Sequence, residues 1–299
     1  FYKKYKIMGM WYKPYLAIFD KEWTNVPAGI KDEIREKVSR FCPAEPLVSI
    51  VLIAHNEEKR IAACLWSLCN NVYHFPTEII VVDNMSTDHT VEVLSDLGVT
   101  YFEEQRKSPG FARACGLEHA RGKYHLCIDS DTLYPPHYVD THIRQLQRKD
   151  VVCTYSLWSF LPDENHSFWG LLGYEFLRDI YLNIQNIKRP EKNVRGMVLA
   201  FHTEPAREVG FRTNIIRGED GMMALGLKKY GKLVFIRSRK ARAVTCNSTL
   251  DGKGSLWQNF LFRLRKSTKE FAGLFHAQEH YADTPSNMIE QDNQQSNQK

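Results

Sequence analysis

The sequence predicts a doubly wound α/β fold built on a mostly parallel sheet. Three observations predict it. Short apolar runs alternate with amphipathic helical stretches from Leu47 onward, and polar or acidic residues punctuate the ends of those runs. The chain has 299 residues, 43% hydrophobic and 25% charged, which is the composition of an ordinary globular protein and enough length to bury a large core. Strand and helix in alternation require crossover connections, and crossovers set neighbouring strands parallel.

In chain order, residues 1–44 read as an N-terminal extension. FYKKYKIMGMWYKPYLAIFDKEW interleaves aromatics with lysines, and Ile30, Ile34, Val38 and Phe41 then recur at helical spacing before Pro43 and Pro46 close the segment. The main domain is expected over 45–250. LVSIVLIA is a buried-strand run, and Ile61, Leu65 and Leu68 share one face of a helix over 57–68. EIIVVD, VTYFEE and KYHLCID read as three further strands, with helices expected over 87–97 and 110–120 between them. VVCTYS reads as another strand. VRGMVLAF follows an aromatic-rich stretch and reads as a strand with Gly196 inside it, where a glycine permits close approach of a ligand or backbone. FHTEPAREVGF is a short helix, and RGEDGMMALGLKKYG an amphipathic one that opens on Glu219 and Asp220.

Beyond Thr245 a basic amphipathic helix is expected over 251–275, suited either to an anionic bilayer surface or to packing on the main domain or a second copy. Residues 276–299 read as a polar, disordered tail. No run reaches the roughly 18 apolar residues of a membrane span, and nothing has the pattern of a cleavable signal. Seven cysteines, an odd number without Cys-x-x-Cys spacing, point to small buried hydrophobes in a reducing compartment. The net charge of +5 is too small for a nucleic-acid binder. It is also unevenly placed: residues 45–250 carry 25 basic and 24 acidic side chains, whereas 1–44 carry 9 and 5, and 251–275 carry 5 and 2.

In open α/β sheets ligands gather beyond the carboxyl ends of the strands. Those ends carry Ala54, His55, Asn56 and Glu57 on the first strand, Asp83 and Asn84 on the second, and Asp129, Ser130 and Asp131 on the fourth. A lone strand-end Asp more often caps a helix than binds a ligand, and Asp88 is expected to do such turn work. Asp129 and Asp131 are different, because carboxylates at i and i+2 repel unless a cation or proton lies between them. Glu219 and Asp220 are open to two readings, a functional pair or the ordinary preference of acids for a helix N-terminus.

Taken together, VSIVLIAHNEE, EIIVVDNMSTDHT, GFARACGLEHARGKYHLCIDSDT, RGMVLAF and RGEDGMMALGLKKYGKLVFI resemble, in order and spacing, the inverting family 2 glycosyltransferases, from Leu47 to Thr245. The resemblance implies a GT-A, Rossmann-like fold and transfer of a sugar from a nucleotide donor, with UDP favoured, to a hydroxyl of a glycan or lipid-linked acceptor. It implies that Ala54, His55, Glu57 and Asp83 hold base and ribose, and that Arg113 lies near the nucleotide. It further implies that Asp129 and Asp131 hold a divalent metal, Mn2+ or Mg2+, with Asp129 nearer the ribose. Asp220 then falls on the general base with Glu219 beside it, and Gly196, Met197 and His202 fall near the donor sugar or acceptor. His202 is open to a structural reading as well. The implied setting is cytoplasmic surface-polysaccharide assembly, peripheral to the membrane, with a homodimer allowed.

The sequence departs from the family pattern in places. Asp83-Asn84 stands for the common Asp-Asp, Arg113-Ala114-Cys115-Gly116 for Arg-Asn-x-Gly, and no Gln-x-x-Arg-Trp occurs, which argues against a processive synthase. Two rivals are a non-catalytic nucleotide-sugar or glycan-binding module of the same fold and a sugar-nucleotide pyrophosphorylase. The second lacks support because LVSIVLIAHNEE has no glycine-rich loop.

Overall fold

The computed structural model describes residues 10–164, 166–213, 215 and 218–247; the segments expected as a basic helix and a tail, 251–275 and 276–299, lie outside them. A seven-stranded sheet forms the centre, in the order β3-β2-β1-β4-β8-β6-β9. Its strands are β1 (Val48–Ala54), β2 (Thr77–Asp83), β3 (Thr100–Glu103), β4 (Tyr124–Asp129), β6 (Val151–Ser156), β8 (Leu199–His202) and β9 (Lys232–Ile236). A second sheet, β5 (Thr132–Leu133), β10 (Ala243–Thr245) and β7 (Trp158–Phe160), adjoins it. All pairs in the large sheet are parallel except those of β8, which runs antiparallel to β4 and β6. The expected doubly wound, mostly parallel sheet is what the chain forms.

β1 and β2 read as continuous apolar runs because helices cover both faces of the sheet, and nearly every residue of both strands is buried. The connecting helices are α1 (Ala28–Val38), α2 (Ile61–Cys69), α3 (Thr90–Leu97), α4 (Pro109–His119), α5 (Tyr138–Leu146), α6 (Phe168–Gln185), α7 (Thr203–Val209) and α8 (Glu219–Leu227). α4 sits hard on β1: a Cβ on Gly116 would fall 2.3 Å from Val51 Cγ1. That close approach fixes the height of Arg113, which lies one turn earlier on the same helix face.

Two expectations about the chain path need correction. Residues 10–44 are no appendage, since Tyr15, Ile18, Ile34 and Val38 lie in the same core as the sheet. Tyr15 meets Trp66 of α2 edge to face, with ring centroids 5.1 Å apart, and Arg35 of α1 pairs with Asp96 of α3. Full burial of each such apolar side chain is worth roughly 1.5–3 kcal/mol. The second correction concerns VRGMVLAF: Gly196–Val198 forms a turn of 3₁₀ helix and only Leu199 onward enters the sheet. Gly196 thus packs against Arg113, where a Cβ would fall 2.1 Å from Nη2, and takes no part in strand pairing.

All seven cysteines are free thiols, five of them buried. Among the described residues no helix is long and apolar enough to cross a membrane.

Candidate active site

The register of the sheet brings the acidic strand ends to one rim. Ala54 of β1 pairs with Asp83 of β2, and Ile53 pairs with Asp129 of β4. β2 and β3 lie on one side of β1 and β4 on the other, so the rim stands at the point where strand order reverses, the usual ligand crevice of such sheets.

The loops beyond β1 and β2 are tied together. Asn56, at φ 57°, accepts from Thr87 N–H at 2.7 Å, and its own N–H donates to Ser86 Oγ. Asp88 accepts from Thr90 N–H and Glu58 N–H, which is the turn work expected of it. His55 is exposed, with Nδ1 2.7 Å from Asn84 O. A carbonyl only accepts, so Nδ1 carries the proton. Asp83 is buried; its Oδ2 accepts from Ser86 N–H, while Oδ1 has no hydrogen-bond partner among the described residues.

Beyond β4, Ser130 Oγ donates to Ile53 O at 3.0 Å and pins the acidic turn to β1. Asp131 Oδ1 accepts from Thr132 Oγ1 at 2.9 Å, and Oδ2 from Cys246 Sγ at 3.0 Å. Burial pushes the Asp129 carboxyl up, Arg113 pulls it back, and Asp131 adds to the rise. Glu57 stands behind these two. Burial, then the charge of Asp131, with Arg60 opposing and Asp129 adding, pushes its carboxyl up to about 8. Three carboxylates therefore crowd one rim.

Arg113 joins this rim to the helix that opens on Glu219 and Asp220. Its side chain is 2% exposed; Nη1 donates to Ile128 O at 2.9 Å, Nη2 donates to Asp129 Oδ1, and Nε stands 3.7 Å from Asp220 Oδ1. Gly196 closes the group: a Cβ there would lie 2.1 Å from Arg113 Nη2 and 2.8 Å from Asp220 Oδ2. Burial first, then the neighbouring Glu219, pushes the Asp220 carboxyl up to about 7, against the opposing pull of Arg113. Gly218, at φ 97°, supplies the left-handed turn into α8 that points both acids this way.

The Glycosyl transferase family 2 model matches residues 49–208, more than half of the chain and the whole of this rim up to α7. The chain belongs to glycosyl transferase family 2. It is a glycosyltransferase. An uncharacterized glycosyltransferase of Rickettsia prowazekii is 25% identical over 237 residues, covering 74% of this chain and 73% of that protein. Glycosyltransferase GlyA of Streptococcus pneumoniae is 24% identical over 143 residues, and the match spans 46% of this chain but only 20% of GlyA. Two solved structures share the fold. The mannosyltransferase PcManGT of Pyrobaculum calidifontis, in complex with GDP-Man and Mn2+, superposes with a TM-score of 0.54 at 19% identity over 86% of this chain and 74% of its own. Glucosyl-3-phosphoglycerate synthase of Mycobacterium tuberculosis, with Mn2+, UDP-glucose and phosphoglyceric acid, gives 0.50 at 19% identity over 83% and 86%.

The fold brings Ala54, Asp83 and Asp129 to one rim by sheet register, sets Glu57 and Asp131 within electrostatic reach of Asp129, ties His55 to Asn84 and Met197 to Tyr134, and joins Asp220, with Glu219 beside it, to Asp129 through Arg113 and Gly196. It does not bring His202. β8 runs antiparallel to β4, so His202 pairs with Tyr124 at the start of that strand, five residues and roughly 16 Å from the level of Asp129. There its Nε2 meets Leu146 O at 3.0 Å and its ring packs edge-on to Tyr124, a structural role. Arg113 donates from Nη1 to Ile128 O and from Nη2 to Asp129, the aspartate expected nearest the ribose.

Among the described residues no three His, Cys, Asp or Glu side chains are arranged to enclose a metal ion. The donors present are nevertheless those of a hard cation held by one or two carboxylates and completed by water and substrate phosphate. Asp129 and Asp131 stand at i and i+2 on the acidic turn, where like charges repel unless a cation lies between them. Residues Asp129 and Asp131 therefore fit the group.

Several bonds that shape the site were not legible in the sequence, among them those of Asn84, a residue already placed at the end of the second strand. Asn84 Nδ2 donates to both Glu104 O and Arg106 O, and Oδ1 accepts from Ser108 N–H. An aspartate could not make those donations, which accounts for the Asp83-Asn84 departure. Tyr134 donates to Met197 O at 2.9 Å, and Asp129 N–H donates to Tyr134 Oη at 3.3 Å. Thr245 and Cys246 reach Asp131 from a strand 114 and 115 residues away, a contact that no local pattern announces.

Proposed function

We propose that the protein is a metal-dependent, inverting glycosyltransferase that moves one sugar from a nucleoside-diphosphate donor, UDP-linked by preference, to a hydroxyl of a glycan or lipid-linked acceptor. The observation that carries this reading is the bridge at Arg113, which holds Asp220 beside Asp129 while burial and Glu219 keep the Asp220 carboxyl near neutrality. A carboxylate poised near the working pH both takes a proton and gives it up, as a general base must.

In this reading Asp220 accepts the acceptor's hydroxyl proton as the oxygen bonds to the anomeric carbon. The bond from that carbon to the diphosphate breaks on the opposite face, and the nucleoside diphosphate leaves with its electron pair. One displacement inverts the centre and needs no covalent nucleophile. The unused acceptor Asp83 Oδ1 suits an N–H of the base, with uracil compatible. Asp129 and Asp131 would hold the divalent ion, which supplies charge neutralisation for the departing diphosphate when bound. Arg113 positions both acids.

The placement of Asp220 beside Arg113 and Asp129, an acid set where a base is needed, favours the enzyme over its non-catalytic rival. The test is thermal shift with UDP and Mn2+, together with transfer to water from UDP-sugars. The wild type should gain stability only with both ligands present, in proportion to ligand saturation. Asp131→Ala should lose that gain, while Asp220→Asn should keep the gain and lose transfer. Transfer at the wild-type rate by both variants would overturn the assignment.

A further inference from the structure

Helix α6 carries apolar residues on both of its faces. Leu171, Tyr174 and Leu182 are buried against the domain. On the outer side Trp169 is 76% exposed, Phe176 64% and Ile184 55%, with Leu172 and Ile180 exposed between them. These positions step by three or four residues and form one stripe along a helix of 18 residues, about 27 Å long. Both acids of the helix face inward: Glu175 accepts from Ser159 Oγ and Phe160 N–H, and Asp179 pairs with Arg178 and Arg242. The outer stripe therefore carries no charge. Contiguous apolar patches of this extent mark interaction sites.

The patch continues past the helix. Phe168 shares a shallow groove with Met10, Tyr12, Leu16 and Pro162, and Leu16 is itself exposed. The margins are cationic. Lys13 lines the same groove, Lys188 is exposed just beyond the helix, and Arg237 donates to Asn183 on its flank. Residues 1–13 hold four lysines and no acid. Of the acids before the helix, Asp163 is engaged by His166 and Asn247, which leaves Glu164.

Charge decides what covers this face. A two-fold contact with a second copy would set the same cationic margins against each other, which costs free energy. An anionic bilayer complements them, and an apolar helix face rimmed by cations and bearing Trp and Phe is suited to lie at the headgroup boundary. We propose that the outer face of α6, with the Leu16 and Phe168 groove, docks this glycosyltransferase on an anionic membrane. α6 packs on β7, β7 pairs with β10, and β10 with β5, which begins one residue after Asp131. The helix that carries the docked face is thus linked to the acidic turn through the small sheet. The inference does not depend on which residue is the base.

The test is co-sedimentation of the full chain with vesicles of phosphatidylcholine alone and of phosphatidylcholine mixed with phosphatidylglycerol. Binding should require the anionic lipid and weaken as salt rises. Phe176→Glu with Ile180→Glu, both at exposed positions, should cut the bound fraction about tenfold or more and leave the thermal midpoint unchanged. Three outcomes overturn the proposal: no binding to anionic vesicles, binding that the double variant retains, or a wild-type dimer that the variant converts to monomer without vesicle binding. Vesicle binding that appears only after residues 248–299 are removed would assign the face to the chain's own C-terminal segment and overturn it equally.

Discussion

Gly196 packs against the guanidinium of Arg113 with no room for a side chain, an added Cβ falling 2.1 Å from Nη2. The neighbour on the other side is Asp220, so any atom placed there moves the pair that sets the proposed base. Gly196→Ala is expected to displace Arg113 and lower kcat about 100-fold, the scale of a misplacement of one ångström. Its overpacking cost is about 1–3 kcal/mol. Steady-state kinetics and a melting curve on the same preparation check this. An alanine variant with unchanged kcat would mean that the space is not needed in turnover.

Arg113 is the only cation that faces both Asp129 and Asp220 in the described contacts, and it is 2% exposed. Arg113→Met leaves Asp129, whose side chain is 36% exposed, and the more enclosed Asp220 without their shared cation, so the fold should lose less than the about 3–5 kcal/mol that breaking a fully buried pair costs. Arg113 holds the Asp220 carboxyl down, so its removal raises that group further and moves the acid limb of the activity profile to higher pH. Arg113→Lys should restore the position of the limb while losing the forked contact to Ile128 O and Asp129. A methionine variant with the wild-type pH profile would exclude this electrostatic role.

The parallel strands and the strand-end acids were legible because each is written locally: an apolar run of six or seven residues followed by a polar cluster is visible without any partner. What stayed hidden depends on direction and on distance. His202 follows an apolar run as plausibly as Asp129 does, and only the antiparallel pairing of β8 sends it to the far end of the sheet. The extension over 10–44 looked separate because its aromatics and lysines alternate without strand or heptad period, yet Tyr15 and Ile34 complete the core over α2. Cys246 reaches Asp131 through pairing of β10 with β5, a contact set by tertiary geometry alone.

Asn84 carries a prediction that reverses the family pattern. Its amide donates to two backbone carbonyls, at 3.0 Å and 2.9 Å, and holds the chain from Glu104 to Ser108 beside the rim. Asn84→Asp, which restores the commoner Asp-Asp, would place a carboxylate against those two carbonyls. A loss of about 1–3 kcal/mol per unsatisfied buried group is expected, read as a lower urea midpoint with an unchanged slope. Equal or greater stability of the aspartate variant would show that the amide donations contribute nothing.

The pH dependence of Asp220 separates its chemistry from its cost to the fold. Its carboxyl sits at about 7 in the folded protein against an ordinary value of 3.8, because burial and then Glu219 disfavour the charge. A carboxyl raised on folding contributes stability that is fully present below its unfolded value and is lost as pH rises through the folded one. Transfer needs the ionised form, so kcat/KM should climb as pH passes through about 7 while the thermal midpoint of the wild type declines over the same interval. Asp220→Asn removes the ionisation. Its midpoint should exceed that of the wild type at about pH 8 and approach it toward about pH 5, with transfer down roughly 10²–10⁴-fold at both. Parallel melting and activity series across that range check both halves. A flat activity profile, or an asparagine variant no more stable than the wild type at the alkaline end, would place the titrating base elsewhere.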